Sequence, residues 1–471
     1  MLDFTFLSPA VTLSELASHR LISIGYSLPS LLATATGELE GEAYAKALGL
    51  ALTIIAIVLY LSAQLLGELS VRIGLPAVLG ELIAGLVIGL SGLHVIVLGG
   101  DAEVAGWMTM LVQSLTGGSD RAIADIFSGP VAIVLEDYAQ IGVGILLFKI
   151  GLEADLKELI RVGPQAASVA ISGVLLPFVL GFLGLSTLFH LDNISAMFGA
   201  AALTATSIGI TSRIMQDMGV LKTQEGQIIL GAAVLDDILG IAVLAVAVGI
   251  AEHGSVDLED LLRTVVSAVL FVAAAIALNR FFGQAYMSFL EKLKNPYSVF
   301  VGAILFLSVT AGFTSIIGLE SILGCFAAGI VLGDTSVTKE LEEACEPLIA
   351  LFSTVFFVTI GAKTDLTVLN FTDPESRVGL WIALFLTILA ILTKMATGYF
   401  VFTQDKVDRL AIGAGMVPRG EVGLVFAGLG AATGALSASV NVAIILMVIG
   451  TTFVAPPLLR WAFSRQTPAV G

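Results

Sequence analysis

Polar residues are scarce along most of this chain, and apolar residues run between them in long unbroken stretches. A helix needs about 20 apolar residues to cross the hydrocarbon core of a bilayer. Thirteen stretches meet or approach that length: 45–68, 74–98, 134–153, 164–190, 195–215, 227–251, 261–282, 297–316, 319–334, 346–362, 378–401, 408–432 and 438–461. Those at 319–334 and 346–362 are short or interrupted. The runs do not alternate, which excludes an outer-membrane barrel of strands about ten residues long. A helix satisfies its own backbone polar groups inside lipid. The pattern therefore predicts an all-α polytopic membrane protein with about 13 transmembrane helices.

Composition agrees. Of 471 residues, 57% are hydrophobic and 13% charged, against about 25% charged in a soluble domain. The mean hydropathy is +1.00. A soluble enzyme, a disordered chain and, with two cysteines, a disulfide scaffold are all excluded. The net charge of −16 argues against nucleic acid and against a polybasic lipid anchor.

An odd number of spans puts the termini on opposite sides. With Lys149, Lys394 and Arg419 set aside as lying within spans, six Lys and Arg fall on the N-terminal side and thirteen, counted at span ends and in loops, on the other. The positive-inside rule then places the C-terminal tail, 462–471, in the cytoplasm and residues 1–44 outside or in a lumen. Residues 1–44 lack a basic stretch followed by a clean apolar one, so no signal peptide is expected; they form an interfacial helix or a tail. The Gly-rich acidic loop 99–133 is expected outside, with an amphipathic piece. No soluble regulatory domain is expected after the last span.

The chain repeats itself. Gly74-Leu75-Pro76…Gly80…Gly85…Gly89 aligns with Gly318-Leu319-Glu320…Gly324…Gly329…Gly333 at a constant offset of 244. Leu147–Glu153 matches Phe357–Lys363, and Phe198–Leu203 matches Ile412–Val417. These matches pair spans seven apart. An odd step means that the second copy crosses the membrane in the opposite sense, the inverted repeat of many secondary transporters. Residues 45–461 form the transmembrane domain: repeat one is 45–251, a linker helix is 261–282, and repeat two is 297–461.

Ionisable residues within spans mark function by default, because a charge there costs several kcal/mol or more. Asp236 and Asp237 lie near the middle of span 227–251. Adjacent residues stand about 100° apart around a helix, so both can border one polar crevice. Two carboxylates in low dielectric resist joint ionisation, and one that titrates near neutral pH can exchange a proton for a small cation. A hydrogen-bonded structural pair and a bound structural ion are the alternatives. Lys394, in span 378–401, is either a snorkelling lysine or the ion-pair partner of Asp236. Thr204, Thr206, Ser207 and Gly209 weaken span 195–215, and an unwound stretch frees carbonyl oxygens for a cation. Small-residue packing is the plainer reading. Pro418 and Gly420 break span 408–432. There Arg419 and Glu421 would offset facing half-helix dipoles, or bind the ion directly. Glu81 is structural or lines a path. Lys149, near a helix end, is expected to snorkel.

Gly74-x-Pro76…Gly80-Glu81, Asp236-Asp237, Gly318…Gly333 and Pro418-Arg419-Gly420-Glu421 together resemble the monovalent cation:proton antiporter superfamily, in the branch of bacterial sodium/proton and potassium-efflux antiporters. The resemblance covers residues 45–461 and implies a six-helix core with two crossing discontinuous helices, a dimerisation domain and elevator-like alternating access. It implies that Asp237 binds the ion, that Asp236 pairs with Lys394, and that Thr206 and Ser207 lie near the ion, so Asp237, Asp236 and Thr206 are the candidate cation ligands. It also implies a homodimer. The potassium-efflux branch commonly replaces the first acid and carries a nucleotide-binding tail; neither feature is found here, which favours sodium. Lys149 departs from the family's apolar residue.

The expected function is electrogenic exchange of sodium for protons in a plasma (inner) membrane or an internal energised one such as a thylakoid. Potassium and lithium remain open as substrates. No cofactor and no enzymatic activity are expected. A paired nucleophile and base is absent, and His19, His94, His190 and His253 all fall outside or at the edges of spans. A channel would not need a titrating acid pair. An organic-anion transporter would rest on Arg419 alone.

Overall fold

The computed structural model describes residues 41–98, 104–117, 119–253, 258–295, 297–364, 374–402, 406–432 and 435–465. Most of the expected segment 1–44, the start of loop 99–133 (residues 99–103) and the tail beyond 465 lie outside the described residues. All regular structure described is helical. In chain order the helices are α1 Gly41–Arg72, α2 Ala77–Ile88, α3 Gly106–Thr116, α4 Asp120–Ile126, α5 Ala132–Glu153, α6 Leu156–Arg161 and α7 Gly163–Thr187. Next come α8 Asn193–Ala202, α9 Ile208–Asp217, α10 Gln224–His253, α11 Leu258–Leu278, α12 Gln284–Leu290 and α13 Ser298–Ile316. The series ends with α14 Ser321–Leu332, α15 Thr338–Ala362, α16 Pro374–Thr397, α17 Arg409–Gly415, α18 Glu421–Ala432 and α19 Ala438–Ser464.

Among the described residues, nine helical stretches are long and apolar enough to cross a membrane. They are α1, α4 joined to α5, α7, α10, α11 joined to α12, α13, α15, α16 and α19. The other four expected passages are the short helices α2 and α14 and the interrupted pairs α8/α9 and α17/α18. The fold is thus polytopic with two discontinuous helices, as the hydropathy pattern predicts.

Several boundaries differ from expectation. Stretch 74–98 is helical only over Ala77–Ile88, and its remainder is turns. Span 346–362 is not short: α15 starts at Thr338 and tolerates Pro347. Part of loop 99–133 is helix, since α4 continues into α5 through a π-helical turn at Phe127–Val131 that absorbs Pro130. Gly106–Thr116 is a second helix in this loop, with Met108 and Val112 buried and Trp107, Met110, Leu111 and Leu115 exposed.

Helix α1 shows why apolar residues alone do not reveal a buried face here. Ala47, Ala51, Ile55, Leu59 and Ala63 recur every four residues and are buried, while Ile57, Leu61, Leu65 and Leu69 recur at the same spacing and are exposed. The first row packs on protein. The second faces outward, where lipid is the matching solvent.

The repeated glycines have equivalent jobs in both copies. Gly74 and Gly318 take the same left-handed turn, with φ of 81° and 80°. That region is open to glycine and strained for other residues. A Cβ on Gly80 would press into the Leu66 carbonyl, and one on Gly324 into the Thr310 carbonyl; both pairs are related by the 244-residue offset. A Cβ on Gly85 would lie 2.9 Å from Gly361 Cα, and one on Gly329 2.8 Å from Gly151 Cα. So α2 packs backbone to backbone on α15, and α14 does so on α5, as small-residue interfaces permit in membranes. Helices α1, α2, α5 and α13–α15 form one packing group. Helices α7–α10 and α16–α19 form another, with its own apolar cluster around Phe198, Ile382, Phe426 and Ile444.

Gly329→Ala is therefore expected to destabilise the detergent-purified protein by about 1–3 kcal/mol, the usual penalty for overpacking. Gly312→Ala, which meets nothing within 4 Å, should be neutral or stabilise by about 0.5–1 kcal/mol. Thermal unfolding curves of the two variants check this, and equal shifts would contradict it.

Candidate functional site

Two interrupted helices cross in the second packing group. Helix α8 ends at Ala202, and Ser207 caps α9, its hydroxyl accepting from the Ile210 N–H at 3.4 Å. Helix α17 ends at Gly415 and α18 begins at Glu421. Each break strands backbone donors and acceptors that lipid cannot satisfy. The breaks satisfy one another. The Ser207 N–H donates to the Pro418 carbonyl at 2.9 Å. Thr206 Oγ1 donates to the Met416 carbonyl at 3.2 Å, and Thr211 Oγ1 to the Gly415 carbonyl at 2.9 Å. A Cβ on Gly420 would lie 2.8 Å from Ser207 Oγ, so only glycine permits this approach.

Arg419 is fully buried at the crossing. Its Nη1 donates to the Ala205 carbonyl and, at 3.5 Å, to that of Thr204. Thr452 Oγ1 donates to the Arg419 carbonyl at 2.7 Å. Arg419 thus places positive charge on the C-terminal side of α8, where the helix dipole is negative. The Glu421 side chain lies outside the described residues.

Asp236 and Asp237 come to this crossing from α10, 0% and 6% exposed. Lys394 comes from α16 and is 0% exposed. Its Nζ donates to Asp236 Oδ2 at 2.9 Å and to Thr206 Oγ1 at 2.9 Å. A snorkelling lysine would reach for the interface, so that reading is corrected: the ammonium ends inside the protein. Asp236 Oδ1 has no hydrogen-bond partner among the described residues. Asp237 lines a small cavity with Thr206, Ser207, Gly209, Gly420 and Glu320. Asp237 and Arg419 both act electrostatically on Lys394. The candidate residues Asp236, Asp237, Thr206, Ser207, Lys394 and Arg419 therefore gather in one place.

Three neighbours carry no signal in the apolar pattern. A Cβ on Gly173 of α7 would lie 3.1 Å from Lys394 Nζ, so this glycine makes room for the ammonium. Thr452 reads as an ordinary small polar residue. Glu320 sits at the margin of an apolar stretch and looks interfacial.

A second polar group differs in part from expectation. Lys149 is buried, yet its ammonium reaches outward to Glu346, whose side chain is 62% exposed, and pairs with Glu153 at 3.2 Å. Gln216 of α9 donates to Glu153 at 3.3 Å. Glu81 is buried and accepts from Thr354 Oγ1 at 3.2 Å. This accounts for a lysine where an apolar residue was expected.

A buried acid–lysine pair at the crossing of two broken helices, inside an inverted repeat, defines the ion-coupled antiporter class. The sequence model of one such family, described as sodium/hydrogen exchanger, transmembrane, matches residues 25–465. The chain belongs to that family. It is 46% identical over 410 residues to the high-affinity Na+/H+ antiporter NhaS3 of Synechocystis sp., covering 86% of this chain and 88% of the relative. It is 34% identical over 420 residues to the Na+/H+-K+ antiporter GerN of Bacillus cereus, covering 88% and 97%. Its fold resembles that of the sodium proton antiporter MjNhaP1 from Methanocaldococcus jannaschii, with a TM-score of 0.58 and 18% identity over 88% of this chain and 97% of that one.

Lys394→Met should destabilise the purified protein by about 3–5 kcal/mol, the usual penalty for orphaning a buried charge. Adding Asp236→Asn should recover most of that loss. A thermal-unfolding double-mutant cycle checks the coupling; two losses that simply add would show that the residues act independently.

Proposed function

We propose that the chain is a sodium/proton antiporter whose transported cation binds where Lys394 now reaches. The observation that carries this reading is the paired contact of Lys394 Nζ with Asp236 Oδ2 and Thr206 Oγ1, beside Asp237. An ammonium seated between a carboxylate and a hydroxyl occupies the kind of oxygen cage that an alkali cation takes. Sodium arriving at Asp237, Asp236 and Thr206, with Ser207 and freed break carbonyls close by, competes with the lysine and with protons for the same oxygens. A site emptied of both keeps its buried charge uncompensated and does not cross. Protons loaded on one side are thereby exchanged for sodium on the other.

The two packing groups support an elevator-like movement. Helices α7–α10 and α16–α19 carry the site, and the glycine-locked group α1, α2, α5 and α13–α15 provides the fixed wall. Repeat one, 45–251, and repeat two, 297–461, flank the linker around α11, and their equivalent glycine contacts fit two inverted copies. The basic-residue count supports an N-terminus outside or in a lumen and a C-terminus in the cytoplasm, in a plasma membrane or an internal energised one. The exposed apolar faces fit contact with lipid and with a second copy in a homodimer. Potassium is the second reading, favoured by the name of the GerN relative. Anion transport is disfavoured by the two buried carboxylates, Asp236 and Asp237, that come to the same crossing as Arg419.

Proteoliposomes holding a pH gradient test the proposal. Sodium should collapse the gradient with the wild type, and Asp237→Asn should abolish the response. Retained exchange by Asp237→Asn would sink the site assignment. If Lys394 carries charge during the cycle, Lys394→Ala should remove the dependence of the rate on membrane potential; an unchanged dependence would remove Lys394 from the transport step.

A further inference from the structure

Glu320 meets the site from the other packing group. It lines the same cavity as Asp237, Thr206, Ser207 and Gly420, and it is half-buried. Glu320 caps the N-terminal end of helix α14, Ser321–Leu332, four residues after α13 ends at Ile316. A carboxylate there needs polar surroundings, and the cavity beside Asp237 provides them.

The repeat shows that the backbone does not require this acid. Pro76 stands 244 residues earlier at the equivalent position. The two share one conformation, φ −60° and ψ 146° for Pro76 and φ −66° and ψ 136° for Glu320. Each follows a left-handed glycine and begins a 12-residue apolar helix. Pro76 is buried and cannot bind a cation through its side chain. The two symmetry-related helix starts thus differ in chemistry: one carries a carboxylate, and on the other the nearest acid is the buried Glu81, five residues into the helix.

We propose that Glu320 is a cation relay on one approach only. It holds the partly dehydrated monovalent cation between solution and Asp237, and it sets the affinity measured from that face. This rests on the antiport reading of Asp236 and Asp237. A carboxylate beside the Thr206 and Ser207 hydroxyls offers hard oxygen donors, and its charge raises the local cation concentration. Glu320 belongs to the fixed group while Asp237 belongs to the group proposed to move, so the two share a cavity in one orientation and part in the other. By the basic-residue count the Glu320 approach opens to the outer or lumenal face.

Sodium/proton exchange in right-side-out and inverted membrane vesicles tests this, with wild type, Glu320→Gln, Glu320→Asp and Pro76→Glu. Glu320→Gln should raise the apparent KM for sodium presented at the outer face by about fivefold or more. The KM from the inner face and the maximal rate should stay near wild type, and Glu320→Asp should recover most of the affinity. A KM unchanged at both faces, or raised equally at both, would overturn the proposal and leave the antiport reading standing. A fall in maximal rate alone, not rescued by Glu320→Asp, would mark a merely structural role and also overturn it. Should Glu320→Gln fail to accumulate, Pro76→Glu decides: it should lower the KM at the inner face, and no change there would count against the relay. Wild-type vesicles without sodium-dependent exchange would overturn both readings.

Discussion

A charge placed inside a bilayer must find its partner within the protein, and that constraint organises the centre of this molecule. Asp236 and Lys394 are fully buried, and each makes the other tolerable. Their pairing brings α10 to α16. A second contact, from Lys394 to Thr206, adds the break between α8 and α9. Gly173 keeps the space for the ammonium open from α7. Four passages from both repeats are thus tied to one ammonium group. Such a pair contributes little net stability, because desolvation offsets most of the attraction. In the proposed cycle its value lies in being replaceable: protons would take the carboxylates, or a cation the place of the lysine.

The crossing solves a second problem, that of broken helices in a solvent without hydrogen bonds. Each break answers the orphaned groups of the other through Ser207, Thr206 and Thr211. Arg419 supplies the charge that the facing helix ends lack. The same geometry leaves hydroxyl and carbonyl oxygens concentrated beside two acids, so the device that stabilises the breaks also builds an oxygen-rich site. Around it, the glycine contacts of α2 on α15 and α14 on α5 fix a rigid wall, because backbones in contact leave no side chains to repack.

Much of this is legible in the amino-acid sequence, for reasons that can be named. Passages are visible because lipid demands continuous apolar runs. The repeat is visible because close backbone approach admits only glycine, so Gly80, Gly85, Gly324 and Gly329 keep their spacing. The buried acids stand out against an apolar background. Other features hide. Hydropathy continues past Ile88 into turns, so the shortness of α2 is invisible, and Glu320 at the start of the equivalent helix gives no sign of the cavity it shares with Asp237. The pairing of Lys149 hides because its partner Glu346 is 197 residues away. Lys394 sits in the last turn of its helix, where a lysine ordinarily reaches for the interface, and only the folded crossing turns it inward. Glycine 173 has no charge or motif to betray it.

The central claim is that sodium and protons compete for the same buried carboxylates. Calorimetric titration of the purified protein with sodium, in buffers of different ionisation enthalpy, tests it most directly. Cation binding to protonated ligands releases protons, so the measured heat should depend on the buffer, corresponding to about one to two protons released per sodium, and Asp237→Asn should show no such release. Sodium binding to the wild type with the same heat in every buffer would contradict the account.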